Sequence, residues 1–314
     1  LPADEPLADG RGSPESAREY VLIKLETQDG IEGIGVTGFG GALTPALKSA
    51  VDALGGLTTG EDPARIEHII AKLTAAAGSA GPAGIFTLAL CAIDLALWDL
   101  RGKIAGVSIA RLLGGCRDKA PAYASGALMR SQTLDDVVRA ARVLVERGWR
   151  SMKMQLALPG DTSPAKEIER LRLIREAIGP DVQLMCDINQ RWSVPQAIAI
   201  GERLAPYHLH WLEDPTQADD DAGIARVREK LATRIACGEY VWGIVPFKRL
   251  LEAGAVDFAM IDLMRVGGIT PWLKVAGMAE AFNVPVVSHL LPEVHVHLIA
   301  AIPNGAVVEY MPWT

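Results

Sequence analysis

No cysteine pairing can be read in this chain of 314 residues: its four cysteines, Cys91, Cys116, Cys186 and Cys237, show no CxxC spacing. Two of them, Cys186 and Cys237, fall within strand-like runs and read as small apolar core residues, and a reducing cytoplasm is the implied compartment. No apolar run reaches the length of about 18 residues that a membrane span requires. Residues 1–7 offer neither a basic n-region nor an apolar h-region, so the expected protein is soluble and carries no address. Basic excess is also missing: 31 Lys and Arg stand against 38 Asp and Glu, a formal charge of −7. Phosphate binding needs a basic face, so nucleic acids and anionic membranes are excluded as partners. Low-complexity tracts and linkers are absent as well, and the length alone points to about two domains.

What the chain does have is acid in a regular arrangement. Asp187 in Leu-Met-Cys-Asp-Ile-Asn, Glu213 in His-Trp-Leu-Glu-Asp-Pro and Glu239 in Ile-Ala-Cys-Gly-Glu-Tyr stand 26 residues apart, each closing a short apolar run. Such runs read as buried parallel strands, and each leads into a helix-like stretch. In a closed parallel barrel, successive strand ends lie side by side around one mouth, so the three carboxylates converge there. Oxygen-only ligands suit a hard divalent cation, Mg²⁺ first and Mn²⁺ as a substitute. The series continues through strand-like runs ending at Asp262, His289 and Glu309. Upstream, a run entered at Trp149 carries Lys153 and Gln155 on one face, because side chains alternate along a strand. Asn189 shares a face with Asp187 by the same rule and is expected to contact substrate or the surroundings of the metal.

Residues 19–26 and 31–37 alternate as two strands around the turn Gln28-Asp-Gly30, and helical stretches start near Thr44 and Pro63. This is α+β order. From about Ala122 strand and helix alternate, which predicts a (β/α) barrel, with amphipathic helices over 134–147, 164–178 and 272–282.

The segment Cys91-Ala-Ile-Asp-Leu-Ala-Leu-Trp-Asp-Leu-Arg-Gly-Lys103, running on to Arg111-Leu-Leu-Gly-Gly115, and Arg265-Val-Gly-Gly-Ile-Thr270 after Asp262 resemble signatures of the enolase superfamily. The resemblance covers nearly the whole chain and is to the mandelate racemase branch of the mandelate racemase/muconate lactonizing enzyme family. It implies an α/β protein: an N-terminal α+β capping domain over residues 1–118 and a modified TIM-type (β/α) barrel over 119–314. The family pattern would add a strand before Leu1 and a C-terminal segment after Thr314, which this chain does not contain.

The resemblance also implies roles. His289 and Asp262 form a catalytic dyad, the carboxylate fixing the tautomer and stabilising the imidazolium. Lys153 helps bind the substrate carboxylate, and Glu309 hydrogen-bonds it, as the neutral acid if its surroundings raise its pKa. Gln155 stands where many relatives have a second lysine base; an amide cannot take a proton from carbon, so hydrogen bonding to substrate is its expected role. Loops at 8–18 and 36–41 are expected to close over the mouth, with Gly38, Gly40 and Gly41 giving mobility. The expected activity is metal-dependent abstraction of the proton next to a carboxylate with loss of water, turning an acid sugar into a 2-keto-3-deoxy acid. A racemase or epimerase is the alternative, and a barrel that binds metal and ligand without turnover is a third. The partner is a small carboxylate, and a homo-oligomer is the expected assembly.

Overall fold

The computed structural model describes residues 19–160 and 163–311, so the expected loop at 8–18 lies outside the described residues. Strands β1 (Val21–Glu26) and β2 (Glu32–Thr37) form an antiparallel hairpin. Its turn closes where Gly30 takes φ +80 and donates from its N–H to Thr27 O at 2.9 Å. Helices α1 (Thr44–Gly56), α2 (Ile66–Ala77), α3 (Ile85–Ala105) and α4 (Ile109–Leu112) complete the smaller unit.

The hairpin packs on α3 almost backbone to backbone. A Cβ at Gly35 would stand 1.7 Å from Ala92 O, and one at Gly33 would stand 2.3 Å from Ala96 O. Glycine on the strand and alanine on the helix are therefore one steric solution. The 21 residues of α3 are buried on nearly every side, because the helix lies between the hairpin and the barrel. Its polar residues explain the junction. Asp94 accepts from Thr270 N at 3.0 Å and Trp98 Nε1 donates to Thr270 Oγ1 at 2.9 Å.

The second unit is a closed barrel of eight parallel strands. They are β3 (Ala122–Leu128), β4 (Ser151–Gln155), β5 (Gln183–Asp187), β6 (Leu212–Glu213), β7 (Ile235–Cys237), β8 (Phe258–Asp262), β9 (Val286–His289) and β10 (Gly305–Tyr310), and β10 pairs with β3 to close the ring. Around them lie α5 (Leu134–Glu146), α6 (Pro164–Ile178), α7 (Val194–Leu204), α8 (Asp221–Lys230), α9 (Val245–Glu252), α10 (Leu263–Val266), α11 (Ile269–Ala281) and α12 (Pro292–Ala301). The periodicity places α5 and α6 to within a residue at each end. Helix α11 starts three residues before the expected Trp272, since Asp94 supplies from another element the acceptor that its first turn lacks.

Inside the ring, Tyr123, Met185, Trp211, Met260 and Val287 form a floor. No described helix is long and apolar enough to cross a membrane. Cys91, Cys186 and Cys237 are buried and free, as expected of apolar core residues, whereas Cys116 is free and exposed.

Gly35→Ala is expected to destabilise the protein by about 2 kcal/mol or more, the upper range for forced overpacking, since the clash is with backbone that cannot rotate away. A fall in the denaturant midpoint at unchanged slope is the readout; an unchanged midpoint would mean that the hairpin is free to lift off α3.

Candidate functional site

Strand register sets the site. Gln155 pairs with Asp187, Asp187 with Glu213, and Asp262 with His289, so residues far apart in sequence stand shoulder to shoulder at the carboxyl ends of the strands. Glu239 lies just beyond β7, after Gly238. That glycine sits at φ +134, and a Cβ there would come within 2.4 Å of Met260 O, so only glycine lets the chain turn Glu239 into the mouth. Gln155, Asp187, Glu239 and His289, together with Phe39, Ser125, Met129, Tyr240 and Arg265, border a cavity of about 180 Å³.

Asp187, Glu213 and Glu239 are buried and each offers an oxygen within 4.8 Å of the others. Asp187 is held by its own turn: Asn189 N, at a residue with φ 49, donates to Asp187 Oδ1 at 2.7 Å. Glu213 is held from both sides, by Lys153 Nζ at 2.5 Å on Oε1 and by Trp211 Nε1 at 2.8 Å on Oε2. Burial, reinforced by Glu239, pushes Asp187 up to about 6, and burial pushes Glu213 well above the usual carboxylate range. Three carboxylates crowded this closely, two of them resisting ionisation, are a donor set with too little positive charge. A hard divalent cation among them meets that deficit, so the residues present fit one.

Lys153 is buried rather than exposed at the rim. Its ammonium also reaches Glu309 Oε1 at 2.8 Å, and although burial opposes its charge, Glu213 and Glu309 keep its pKa well above normal. Glu309 is not the neutral acid allowed for above. Burial works against its ionisation, but Lys153 and His289 hold it down at about 2, so it is a carboxylate. Its Oε2 accepts from Leu290 N at 2.9 Å, which steadies the chain next to His289.

His289 Nδ1 stands 2.6 Å from Asp262 Oδ2, while Asp262 Oδ1 accepts from Arg265 N at 2.6 Å and caps α10. With both its oxygens engaged, Asp262 fixes the imidazole ring and leaves Nε2 to the mouth, 3.4 Å from Glu239 Oε2. Burial disfavours the imidazolium, yet Glu239 and Asp262 outweigh it and raise the pKa to about 9.

Gln155 and Asn189 are tied to each other, Gln155 Nε2 donating to Asn189 Oδ1 at 3.2 Å. Phe39 brings the 36–41 loop over the mouth, stacked at 6.3 Å on His289 and at 4.2 Å on the Arg265 guanidinium. Of the glycines there, Gly41 takes φ +51 with open space around it, whereas Gly40 is packed. A Cβ at Gly40 would lie 2.7 Å from Thr44 Cα, so the loop is seated on the start of α1, and Phe39 rather than Gly38 or Gly40 takes the left-handed conformation.

Residues 136–314 match the enolase C-terminal domain-like family, and residues 3–114 match the mandelate racemase/muconate lactonizing enzyme N-terminal domain. The chain belongs to the enolase superfamily. It is 33% identical over 318 residues to L-talarate/galactarate dehydratase of Salmonella typhimurium, covering 100% of this chain and 79% of that one. It is likewise 33% identical to 3,6-anhydro-α-L-galactonate cycloisomerase of Streptomyces coelicolor, covering 98% and 85%. Among solved structures, L-talarate dehydratase from Polaromonas sp. JS666, in complex with Mg and L-glucarate, superposes with a TM-score of 0.89 at 35% identity over 94% of this chain and 82% of that one.

Reading the sequence missed Trp211, Arg130, Tyr240, Phe39 and Asp214. Trp211 was within reach, being two residues before Glu213 and so on the same face. Asp214 is fully buried, with the Cys237 thiol beside it. Arg130 carried no signal at all, because its partners are Leu156 and Asn189 on other loops.

Two outcomes test this geometry. Glu213→Ala is expected to weaken Mg²⁺ binding by on the order of 10²-fold or more in calorimetric titration, since it removes a ligand and leaves the Trp211 N–H unmatched and Lys153 with Glu309 alone; unchanged affinity would remove Glu213 from the metal site. In chelator, the raised pKa means that the His289 charge stabilises the folded state fully below the ordinary histidine range, and that this contribution is lost as pH rises through about 9. Adding Mg²⁺ offsets the Glu239 charge and lowers that pKa, which ¹⁵N NMR of the ring would follow; a pKa indifferent to Mg²⁺ would separate His289 from the metal.

Proposed function

We propose that this protein is a Mg²⁺-dependent acid-sugar dehydratase in which Asp187, Glu213 and Glu239 hold the metal and His289 is the base. The observation that carries the reading is the one-sided site: an imidazole with its tautomer fixed by Asp262 at 2.6 Å, and an amide, Gln155, where a second base would have to stand. Racemisation needs a proton donor and acceptor on both faces of the α-carbon, and Gln155 supplies neither. Elimination needs only one.

The proton next to a carboxylate is weakly acidic because its loss makes a dianion. Mg²⁺, when bound, acts as a Lewis acid that binds the substrate carboxylate and stabilises that charge, worth several kcal/mol in a dry site. Lys153 adds a fixed positive charge on the same side, held by Glu213 and Glu309. His289 Nε2 takes the α-proton, and the electron pair left behind forms the Cα–Cβ double bond as the β C–O bond breaks. The imidazolium, stabilised by Asp262, returns its proton to the departing hydroxide, and water leaves. The enol then tautomerises to the 2-keto-3-deoxy acid, so atoms and charge balance with one residue serving as base and acid.

Other parts of the reading stand on the same ground. We assign residues 1–118 to the cap, supported by the end of α4 at Leu112 and the start of the barrel at Ala122, and 119–314 to the catalytic domain. The His289–Asp262 pair on adjacent strands supports the mandelate racemase branch, and the dehydratase and cycloisomerase relatives support sugar-acid chemistry within it. A homo-oligomer in the cytoplasm completes the proposal, the buried free thiols supporting a reducing compartment.

A turned-over acid sugar incubated in D₂O is expected to give a 2-keto-3-deoxy product with no deuterated epimer of the substrate accumulating. His289→Asn should lower kcat by about 10²-fold to 10⁴-fold, the range for a positioned general base. Accumulation of both α-epimers carrying deuterium would sink the dehydratase reading.

A further inference from the structure

On the Gln155 side of the mouth, hydrogen-bond direction is set by one residue outside the cavity lining. Arg130, on the loop after β3, donates through Nε to Leu156 O at 2.7 Å and through Nη2 to Asp187 O at 3.2 Å and Asn189 Oδ1 at 2.6 Å. A guanidinium has donors only, so the atom of Asn189 that faces it must be the amide oxygen. Gln155 Nε2 donates to that same oxygen at 3.2 Å and occupies its second lone pair. The amide nitrogen of Asn189 must then point the other way, where it meets Tyr240 Oη at 3.2 Å. An amide NH₂ only donates, so the tyrosine oxygen accepts and its own proton is turned off that line. Among the described residues this proton makes no hydrogen bond, although the carboxylates of Glu239 and Asp187 act on the ring electrostatically. The Tyr240 ring cannot swing away freely, because the Arg265 guanidinium lies 4.9 Å from its centroid and is itself fixed to Glu239 O at 2.8 Å. Tyr240, Gln155 and Asn189 all border the cavity.

We infer that Tyr240 donates a hydrogen bond to a hydroxyl of the substrate, and that Arg130, acting through Asn189, is the positioning residue that sets the direction of this bond. Tyr240 thereby reads the sugar chain beyond the α-carbon, which makes it a specificity residue separate from the metal, Lys153 and His289. The inference rests on the acid-sugar reading. It also refines the role of Asn189, whose oxygen is saturated inside the protein and is not available to substrate.

The test uses the Mg²⁺-loaded protein with galactarate, talarate, galactonate and mannonate, followed by the monodeoxy analogues of whichever is turned over fastest. Tyr240→Phe keeps the ring against Arg265 and removes only the hydroxyl. Its kcat/KM on that acid should fall by on the order of 10-fold to 10²-fold, the loss expected when a polar partner is left unmatched in a closed site. One of the monodeoxy acids should be turned over equally well by the two proteins, which a general structural defect would not produce. Arg130→Met frees Asn189 to flip and accept from Tyr240, so it should lose a similar factor, and the double variant should be no worse than either single one. Undiminished turnover in Tyr240→Phe, or losses that multiply in the double variant, would overturn the inference while leaving the dehydratase reading intact. A wild-type protein inactive on every one of these acids would instead bring down both.

Discussion

Charge crowding at the barrel mouth is the constraint on which the rest of the structure depends. Asp187, Glu213, Asp214, Glu239, Asp262 and Glu309 are all buried, against Lys153 and His289 as the buried cations among them. Ions of one sign repel strongly at these separations in a medium poorer than water at screening them, so the arrangement holds only if each carboxylate has an assigned neighbour. Asp262 has the imidazole and a helix N-terminus, and Glu309 has the lysine and a backbone N–H. Glu213 has the lysine and an indole. Asp187 has a single backbone N–H and Glu239 faces the imidazole Nε2, and with Glu213 they bring three oxygens to the place where a divalent cation fits. The raised pKa values of Asp187, Glu213 and His289 are three consequences of the same deficit.

Much of this was legible in the sequence, and the reason is geometric. A parallel strand has a period of two and a barrel has a cyclic order, so residues at strand ends are located by counting. That is how Asp187, Glu213, Glu239, Asp262, His289 and Glu309 could be placed around one mouth, and how Lys153 and Gln155 could be put on one face. Counting says nothing about contacts that cross between loops. Arg130 meets Asn189 across 59 positions of sequence and Lys153 meets Glu213 across 60, and neither separation carries a periodic mark. The protonation of Glu309 was out of reach for the same cause, since it depends on where a lysine from another strand comes to rest. Composition alone could not tell apart the glycines of the 36–41 loop, where Gly40 is packed against Thr44 and Gly41 takes a left-handed conformation in open space.

The junction between the two units depends on α3. Its Asp94 and Trp98 both end on Thr270, at the first turn of α11, and its alanines receive the hairpin. The long apolar segment that carries the family resemblance is thus the spacer that sets the height and angle of the cap. Phe39, at the far end of the hairpin, stacks over His289 and Arg265 as a result. Packing far from the chemistry decides which aromatic ring covers the base.

The ring of strands is closed, with β10 hydrogen-bonded to β3 and no free edge. The working side chains hang on, or just beyond, the ends of several different strands, Lys153 and Gln155 together on β4 and Glu239 just past β7. One of them can be exchanged without moving its neighbours, because the hydrogen-bond ladder beneath is shared by all and owned by none. The amide at position 155 borders the same cavity as Asp187, Glu239, the lysine and the imidazole, each held by its own part of that ladder. A fold of this kind lets chemistry be revised one position at a time.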